Sequence, residues 1–267
     1  MIIINSDDFG ASPSINKAIF IAFSKNLISS TSTLVNFEEG LRDAIGYVKN
    51  GKIDGNSIGI HLNLTQGIPL TEKIKKNVKF CENGMFKNNR SSTPIFKMDA
   101  NSKQCVVEEL HAQMVHFIDS FGFLPSHIDS HHHVHTEWAI AQCVIETAKK
   151  YQIKSLRLAR NTGQTHDFKK RVYQSLLNRY IKFKGSKVTD KFGGIDDFMF
   201  SGLNLKKDNE IMVHALMSAD GGEIVDLDGL NLQKKLSDLF QQSTWRINNY
   251  TEFREIMSKE KNGSDAL

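Results

Sequence analysis

The sequence predicts an α/β fold of parallel β–α units, with a barrel favoured over an open doubly wound sheet. Three observations carry this. Short apolar runs alternate with helical patterns along most of the 267 residues, the order that parallel strands with helical crossovers require. No GxGxxG or Walker-type glycine loop follows the first strand, so the nucleotide crevice of an open sheet lacks its phosphate cradle. Carboxylates, imidazoles and guanidiniums collect at the ends of several strands, where barrels place their reactive groups.

The elements follow in order. Ile2-Ile3-Ile4 opens a strand that runs into Asn5-Ser6-Asp7-Asp8-Phe9-Gly10. A helix is expected over about 12–25, with Ile15, Ala18, Ile19 and Ala22 on one face. Residues 32–35 read as a second strand and about 37–48 as a helix. Over 57–64, Ile58, Ile60, Leu62 and Leu64 alternate with other residues, the period-2 mark of a strand. A looser Lys- and Asn-rich stretch (about 66–101) precedes an amphipathic helix over 106–121. A short strand at 126–130, a helix near 137–151, and strands at 154–158 and 210–216 complete the pattern, with no internal repeat.

Composition limits the function classes. Hydrophobic residues at 40%, charged residues at 24% and only 4 Pro describe a globular chain rather than a disordered one. A chain of this length buries roughly 70–75% of its unfolded surface, enough to form a core without disulfide or metal staples. The sequence lacks any uncharged apolar run of about 18 residues, which argues against a transmembrane segment, and its first residues lack a basic signal-peptide region. Cys81, Cys105 and Cys143 form no CxxC pair and read as reduced thiols, so a cytoplasmic location is expected. A net charge of +4 and a pI near 8.8 are too mild to imply nucleic acid as a partner. The excess is uneven: Lys169, Lys170, Arg171, Arg179, Lys182, Lys184 and Lys187 crowd one stretch whose Val172, Leu176, Leu177 and Ile181 follow helical spacing. That stretch reads as a solvated helix face, or as a surface for an anionic substrate or a membrane-associated intermediate.

The chemistry concentrates at strand ends. Asp7-Asp8 follows the first strand, His61 closes Ile58-Gly59-Ile60, and His127-Ile-Asp129-Ser-His131-His132-His133-Val-His135 follows Leu124-Pro125. Arg157 and Arg160 end the 154–158 strand and His214 follows Ile211-Met212-Val213. Singly, each has an ordinary structural reading, an Asp pair as a helix cap or a lone histidine as a hydrogen-bonded core residue; their coincidence points to one shared site. One carboxylate with two imidazoles is a facial set for a divalent ion, with positions left for water and substrate. Adjacent aspartates allow one to bind metal while the other takes a proton. On an extended strand end, His131, His133 and His135 would share a face. A helical HExxH arrangement is excluded by the missing Glu. Asp8-Phe9-Gly10 spells a kinase motif without its partner motifs, and no GxSxG elbow accompanies Ser126 or Ser130.

Together, Asn5-Ser-Asp-Asp-Phe-Gly10, Ile58-Gly-Ile-His-Leu-Asn-Leu64 and His127-Ile-Asp-Ser-His-His-His-Val-His135 resemble the YdjC-like carbohydrate deacetylases, relatives of the NodB-type polysaccharide deacetylases. The resemblance covers residues 1 to about 160 and returns at 210–214. It implies a single catalytic domain over 1–267, a distorted TIM-like (β/α) barrel of about seven strands, and an insertion near 161–200. It further implies one divalent metal ion, magnesium by family, with zinc, cobalt or manganese also suited to the donors. By position, Asp8, His61 and His131 would be metal ligands, Asp7 the general base, His214 the acid and Arg157 a substrate contact. Asp129 would orient a ligand imidazole from behind, or else cap the turn before the histidines. The family's His-Pro-Gly continuation is here His214-Ala215-Leu216. The implied reaction is hydrolysis of the N-acetyl group of an amino sugar, the acetylated sugar being the expected partner. A two-metal phosphoesterase or amidohydrolase, and a non-catalytic sugar- or metal-binding protein, are the alternatives.

Overall fold

Strand β1 (Ile2–Phe9) sets the frame in the computed structural model, which describes residues 1–87, 96–164, 167–241 and 246–264. Helix α1 (Pro13–Ser24) follows where the periodicity put it. Ser12 accepts the Ile15 N–H as N-cap, Pro13 occupies the first turn, and Ala18, Ile19 and Ala22 are buried, the arrangement that a missing proline N–H and a short hydroxyl side chain favour. Then come β2 (Ser30–Thr33), α2 (Glu38–Lys49), β3 (Ile58–Leu62), α3 (Glu72–Lys75), and the small hairpin of β4 (Cys81–Glu82) and β5 (Met85–Phe86). Helix α4 (Ala100–Phe121) starts earlier than its apolar stripe suggests, because Asp99 caps it by accepting from Ser102 N–H; Gly122 ends it with φ of 79°, a left-handed stop that glycine adopts without Cβ strain. After β6 (Ile128–Ser130) and a 3-10 turn at His131–Thr136 come α5 (Trp138–Lys150), α6 (Phe168–Phe183), β7 (Lys191–Gly194), α7 (Ile195–Ser201) and β8 (Asn209–Val213). The chain closes with β9 (Leu216–Met217), β10 (Ile224–Val225), α8 (Leu232–Phe240) and α9 (Tyr250–Ser264).

The main sheet has six strands in the order β6-β3-β2-β1-β8-β7, all parallel. The described residues thus form a curled parallel sheet of six strands, one fewer than the expected seven. The 154–158 segment contributes only isolated parallel bridges, Leu156 with Ile128 and Ser155 with Lys187. Other expectations also change. Part of the supposed insertion near 161–200 is β7, an edge strand of this sheet. The single strand expected over 210–216 is split, β8 joining the parallel sheet and β9 pairing antiparallel with β10. Part of the 66–101 stretch and of the 161–200 stretch lies outside the described residues.

Alternation along the strands sorts the two faces of the sheet. Ile2 and Ile4 of β1 and Ile58, Ile60 and Leu62 of β3 join the large core with Ala18, Ile19 and Ala22. The odd positions face the other way. Ile3 packs with Tyr250 and Phe253 of α9, which plugs one end of the curled sheet, and Arg254 donates to the Ser126 carbonyl there. Above that plug the inner face is polar: Asn5, Asp7, His61, His127, Asp129 and Glu210 are all buried. Gly59 leaves room for the His127 ring, which a Cβ would overlap, and His127 stacks on Tyr250 at 3.9 Å.

Candidate active site

A bulge in β1 separates the two aspartates. Its pairing with β2 shifts between Ser6 and Phe9, and Asp8 adopts φ of 72°, a left-handed conformation costing about 1–2 kcal/mol for a residue with a Cβ. Such bulges re-aim side chains. Here Asp7 stays on the inner face, 2% exposed, while Asp8 turns to the rim, 19% exposed.

At the rim, Asp8 Oδ1 lies 3.3 Å from His61 Nε2 and 3.0 Å from His131 Nδ1. Each imidazole is oriented through its other nitrogen. His61 Nδ1 faces Asp129 Oδ1 at 2.8 Å and His131 Nε2 faces Gln66 Oε1 at 2.7 Å, which leaves the remaining ring nitrogens directed at Asp8. His61 and Asp129 are register partners on β3 and β6, so strand pairing sets that contact. Asp8 Oδ1 is buried and has no hydrogen-bond donor among the described residues. The three donor atoms lie within 4.8 Å of one another, and ligands about 2.1 Å from a common ion at right angles stand about 3.0 Å apart. Donor chemistry, spacing and orphaned oxygen fit a divalent cation.

The histidine run does not end as an extended strand. Residues His131–Thr136 form a 3-10 turn in which His132 and His133 have φ of 51° and 54°, so an alternating face for 131, 133 and 135 does not exist. Of the run, His131 is the one that reaches Asp8. His132 Nδ1 pairs with Thr65 Oγ1 at 3.0 Å, and His135 Nδ1 with Ser130 Oγ at 2.6 Å. His127 pairs with Ser126 Oγ at the plugged end.

Beneath the rim lies a closed ionic layer. Arg157, 0% exposed, meets Asp7 through Nη1 and Nη2 at 2.7 and 2.8 Å, Asp129 through Nη1 at 2.7 Å and Glu210 through Nε at 2.5 Å. Its guanidinium also lies 4.9 Å from the Phe192 ring centroid. The structure thus places Arg157, expected at the substrate, behind Asp7 and away from solvent. Asn5 Nδ2 donates to Asp7 Oδ1 at 2.9 Å and Ser32 Oγ to Asp129 Oδ2 at 2.8 Å. Asp7, His61 and Asp129 also cluster closely enough for a metal, but the Arg157 guanidinium already bridges the two carboxylates.

The electrostatics follow. Burial alone would raise Asp7, but Arg157 overrides it and holds the carboxyl below its ordinary value; Asp129 is lowered in the same way by Arg157 and His61. Burial also opposes ionisation of Asp8, yet the two imidazoles hold it well below the carboxylate range. For His61, burial favours the neutral ring, while Asp129, Asp7 and Asp8 outweigh it and raise it to about 10; a cation at Nε2 answers the same negative charge. Burial raises Glu210 despite Arg157, since one guanidinium cannot neutralise three carboxylates. His214 stands at the same rim, its Nε2 4.0 Å from Asp8 Oδ2. Asp226 Oδ1 accepts the His214 N–H and Ser6 Oγ accepts that of Ala215, a bond a proline at 215 could not make.

Sequence reasoning missed Glu210, Gln66, Ser32 and Asn5. Asn5 lay inside the quoted motif and Glu210 inside a predicted strand, where a charged residue on a buried inner face was the available signal; Gln66 gave none, since its role depends on a loop.

Fold and site together define a β/α enzyme-like scaffold with an Asp-His-His cluster that could hold a cation at the carboxyl ends of its strands. The chain belongs to the YdjC-like family, whose model, described as YdjC-like protein, matches residues 1–258. Among curated proteins it is similar to a carbohydrate deacetylase of Clostridium beijerinckii, 33% identical over 156 residues, with 57% of this chain and 58% of that protein covered. A chitooligosaccharide deacetylase of Salmonella schwarzengrund is 31% identical over 195 residues, covering 71% of each chain. The match thus spans under two thirds of the Clostridium relative's length. Among solved structures, a protein of Enterococcus faecalis V583 described as a candidate cellobiose-phosphate cleavage protein superposes with a TM-score of 0.66 at 22% identity, over 94% of this chain and 98% of that one; this likeness concerns the fold. No helix among the described residues is long and apolar enough to cross a membrane.

Proposed function

We propose that the protein is a metal-dependent carbohydrate deacetylase, hydrolysing the N-acetyl group of an N-acetylated amino sugar such as a chitooligosaccharide to a free amine and acetate. The observation that carries this reading is the open Asp8-His61-His131 set beside a separately held aspartate, Asp7. The names of the relatives support the activity and substrate class. Asp8, His61 and His131 would hold one divalent ion, magnesium by family and zinc, cobalt or manganese by donor type. Bound there, the ion supplies polarisation of the acetamide carbonyl and acidification of water.

The chain's own residues do the rest. Asp7, kept ionised and fixed in orientation by Arg157 and Asn5, receives the proton as water adds to the carbonyl carbon, a role contributing about 10²–10⁴-fold. His214 Nε2, at the same rim, protonates the departing nitrogen as the C–N bond breaks. Arg157 acts through Asp7 as a positioning residue, and Asp129 and Gln66 do so through the two imidazoles. A two-metal phosphoesterase is disfavoured because the second carboxylate cluster is filled by Arg157. The same reading takes 1–267 as a single catalytic domain in the cytoplasm, with 154–158 as the strand that closes a distorted barrel, supported by its bridges to Ile128 and Lys187.

The test is mass spectrometry of acetylated amino-sugar oligomers incubated with protein loaded in turn with each divalent ion. A loss of about 42 Da per acetyl group, with one ion per chain, is expected. No mass loss with any of these metals and sugars, or two ions per chain with phosphate-ester cleavage, overturns the reading.

A further inference from the structure

Helix α6 presents an unusual outer face. Leu177 and Ile181 anchor it to the core, but Phe168, Val172, Leu176 and Phe183 are 73%, 42%, 53% and 83% exposed. Two of these, Val172 and Leu176, belong to the apolar set at helical spacing that also contains Leu177 and Ile181. At 100° per residue, 168, 172, 176 and 183 fall on one side of the helix, opposite 177 and 181. Lys169, Arg171, Arg179 and Lys182 flank or punctuate this ridge, and residues 168–187 contain no Asp or Glu.

Beside the ridge runs a groove of about 820 Å³ between α6 and residues 160–164, lined in part by Arg160, Arg171, Arg179 and Lys182. Arg160 also lines a cavity of about 380 Å³ that reaches His133, and a third that contains His214. The basic, apolar face is thus continuous with the mouth of the candidate site.

We propose that the outer face of α6 is a docking surface for an anionic lipid bilayer, which sets the His214 side of the site against the membrane. A ridge of aromatic and aliphatic side chains bordered by lysines and arginines is the composition that lies in a lipid interface: apolar groups enter the headgroup boundary while the cations meet anionic lipid. Charge decides against the other occupants. A second copy would bring two predominantly cationic faces together, with Asp167 the one acidic residue bordering the helix ridge. A nucleic acid would engage the cations but leave Val172 and Leu176 with no partner. The inference goes beyond the deacetylase reading and does not depend on it.

The experiment is co-sedimentation of the full chain with vesicles of phosphatidylcholine alone or with about 30 mol% phosphatidylglycerol at about 0.1 M salt, with no acetylated sugar present. Binding to the phosphatidylglycerol vesicles is expected, weakened by salt and absent on phosphatidylcholine. Each cation at the surface contributes about fivefold, so the triple variant Lys169→Gln, Arg179→Gln, Lys182→Gln should bind on the order of 100-fold more weakly. Phe168→Ser with Phe183→Ser should also release the protein, and circular dichroism should show both variants folded because every substituted side chain is exposed. No binding, equal binding to both vesicles, or binding unchanged in the two variants overturns the proposal. So does a concentration-dependent dimer, or binding of single-stranded DNA, that the Phe168→Ser/Phe183→Ser variant abolishes while vesicle binding persists.

Discussion

The rim and the layer beneath it are built from the same kinds of group and behave as opposites. At the rim, Asp8, His61 and His131 converge with an oxygen left unsatisfied; below, Asp7, Asp129 and Glu210 converge on Arg157, which is wholly buried. The difference is what fills the centre. Below, a guanidinium of the chain itself stands among the anions, though Glu210 Oε2 keeps no hydrogen-bond partner; at the rim no Arg or Lys among the described residues pairs with Asp8, and the carboxylate and two imidazoles are left as a donor set for a ligand from outside. Carboxylate and histidine content therefore does not tell the two clusters apart; the presence of Arg157 among the anions of one of them does.

The strongest way to break this contrast is Asp7→Asn. It removes the base from the closed layer but leaves the rim intact, so the variant should bind metal while acetate release falls about 10²–10⁴-fold; His131→Ala should instead lose the metal. Retained turnover in Asp7→Asn, measured beside metal content, would show that the layer has no chemical role. Next in size is Arg157→Met, which strands buried carboxylates and should lower unfolding free energy by about 3–5 kcal/mol, read from urea transitions at neutral pH. A loss below about 1 kcal/mol would mean that the layer is not held by charge.

Titration separates the rim from the buried histidines that stand apart from it. Burial depresses His127 to about 3 and His135 to about 4. Their folded values lie below the unfolded value of about 6.5, so the unfolded chain takes up protons first. The stability they contribute is complete above pH ~6.5 and is lost as pH falls toward 4, by about 1.4 kcal/mol per pH unit for each ring. His61, raised to about 10, has the opposite sign: in metal-free protein its contribution is complete below ~6.5 and is lost as pH rises through 10. Urea midpoints between pH 7 and 4.5 should decline steeply, and a flat profile would contradict the burial of the two neutral rings. The smallest effect is expected from Gln66→Ala, which frees the His131 ring: metal affinity should fall about 10–100-fold with the urea midpoint unmoved. Calorimetric titration with the metal checks this, and unchanged affinity would place the orientation of His131 elsewhere.

The local elements were legible because their signals are local. Ser12 and Pro13 mark the start of α1, and the alternation at 58–62 marks β3. The adjacency of Asp7 to Asp8 and the placement of His61 and His214 at strand ends were equally plain. The turn at His131–Thr136 was not, because its two left-handed residues are held by tertiary contacts such as His132 with Thr65 and His131 with Gln66. For α6 the spacing gave one apolar stripe and could not divide it, because only packing decides that Leu177 and Ile181 are buried while Val172 and Leu176 face solvent.

The order of residues by itself settled the early elements β1, α1 and β3, which of their side chains alternate toward the sheet's inner face, and which functional groups stand at their ends, since each depends on neighbours a few positions away. Only the folded chain decided which carboxylate meets the internal guanidinium and which is left open at the rim. Arg157 lies 150 residues from Asp7 and 53 from Glu210, and strand order, register and one bulge bring them together. Those are set by packing of the whole sheet and by no single segment of it.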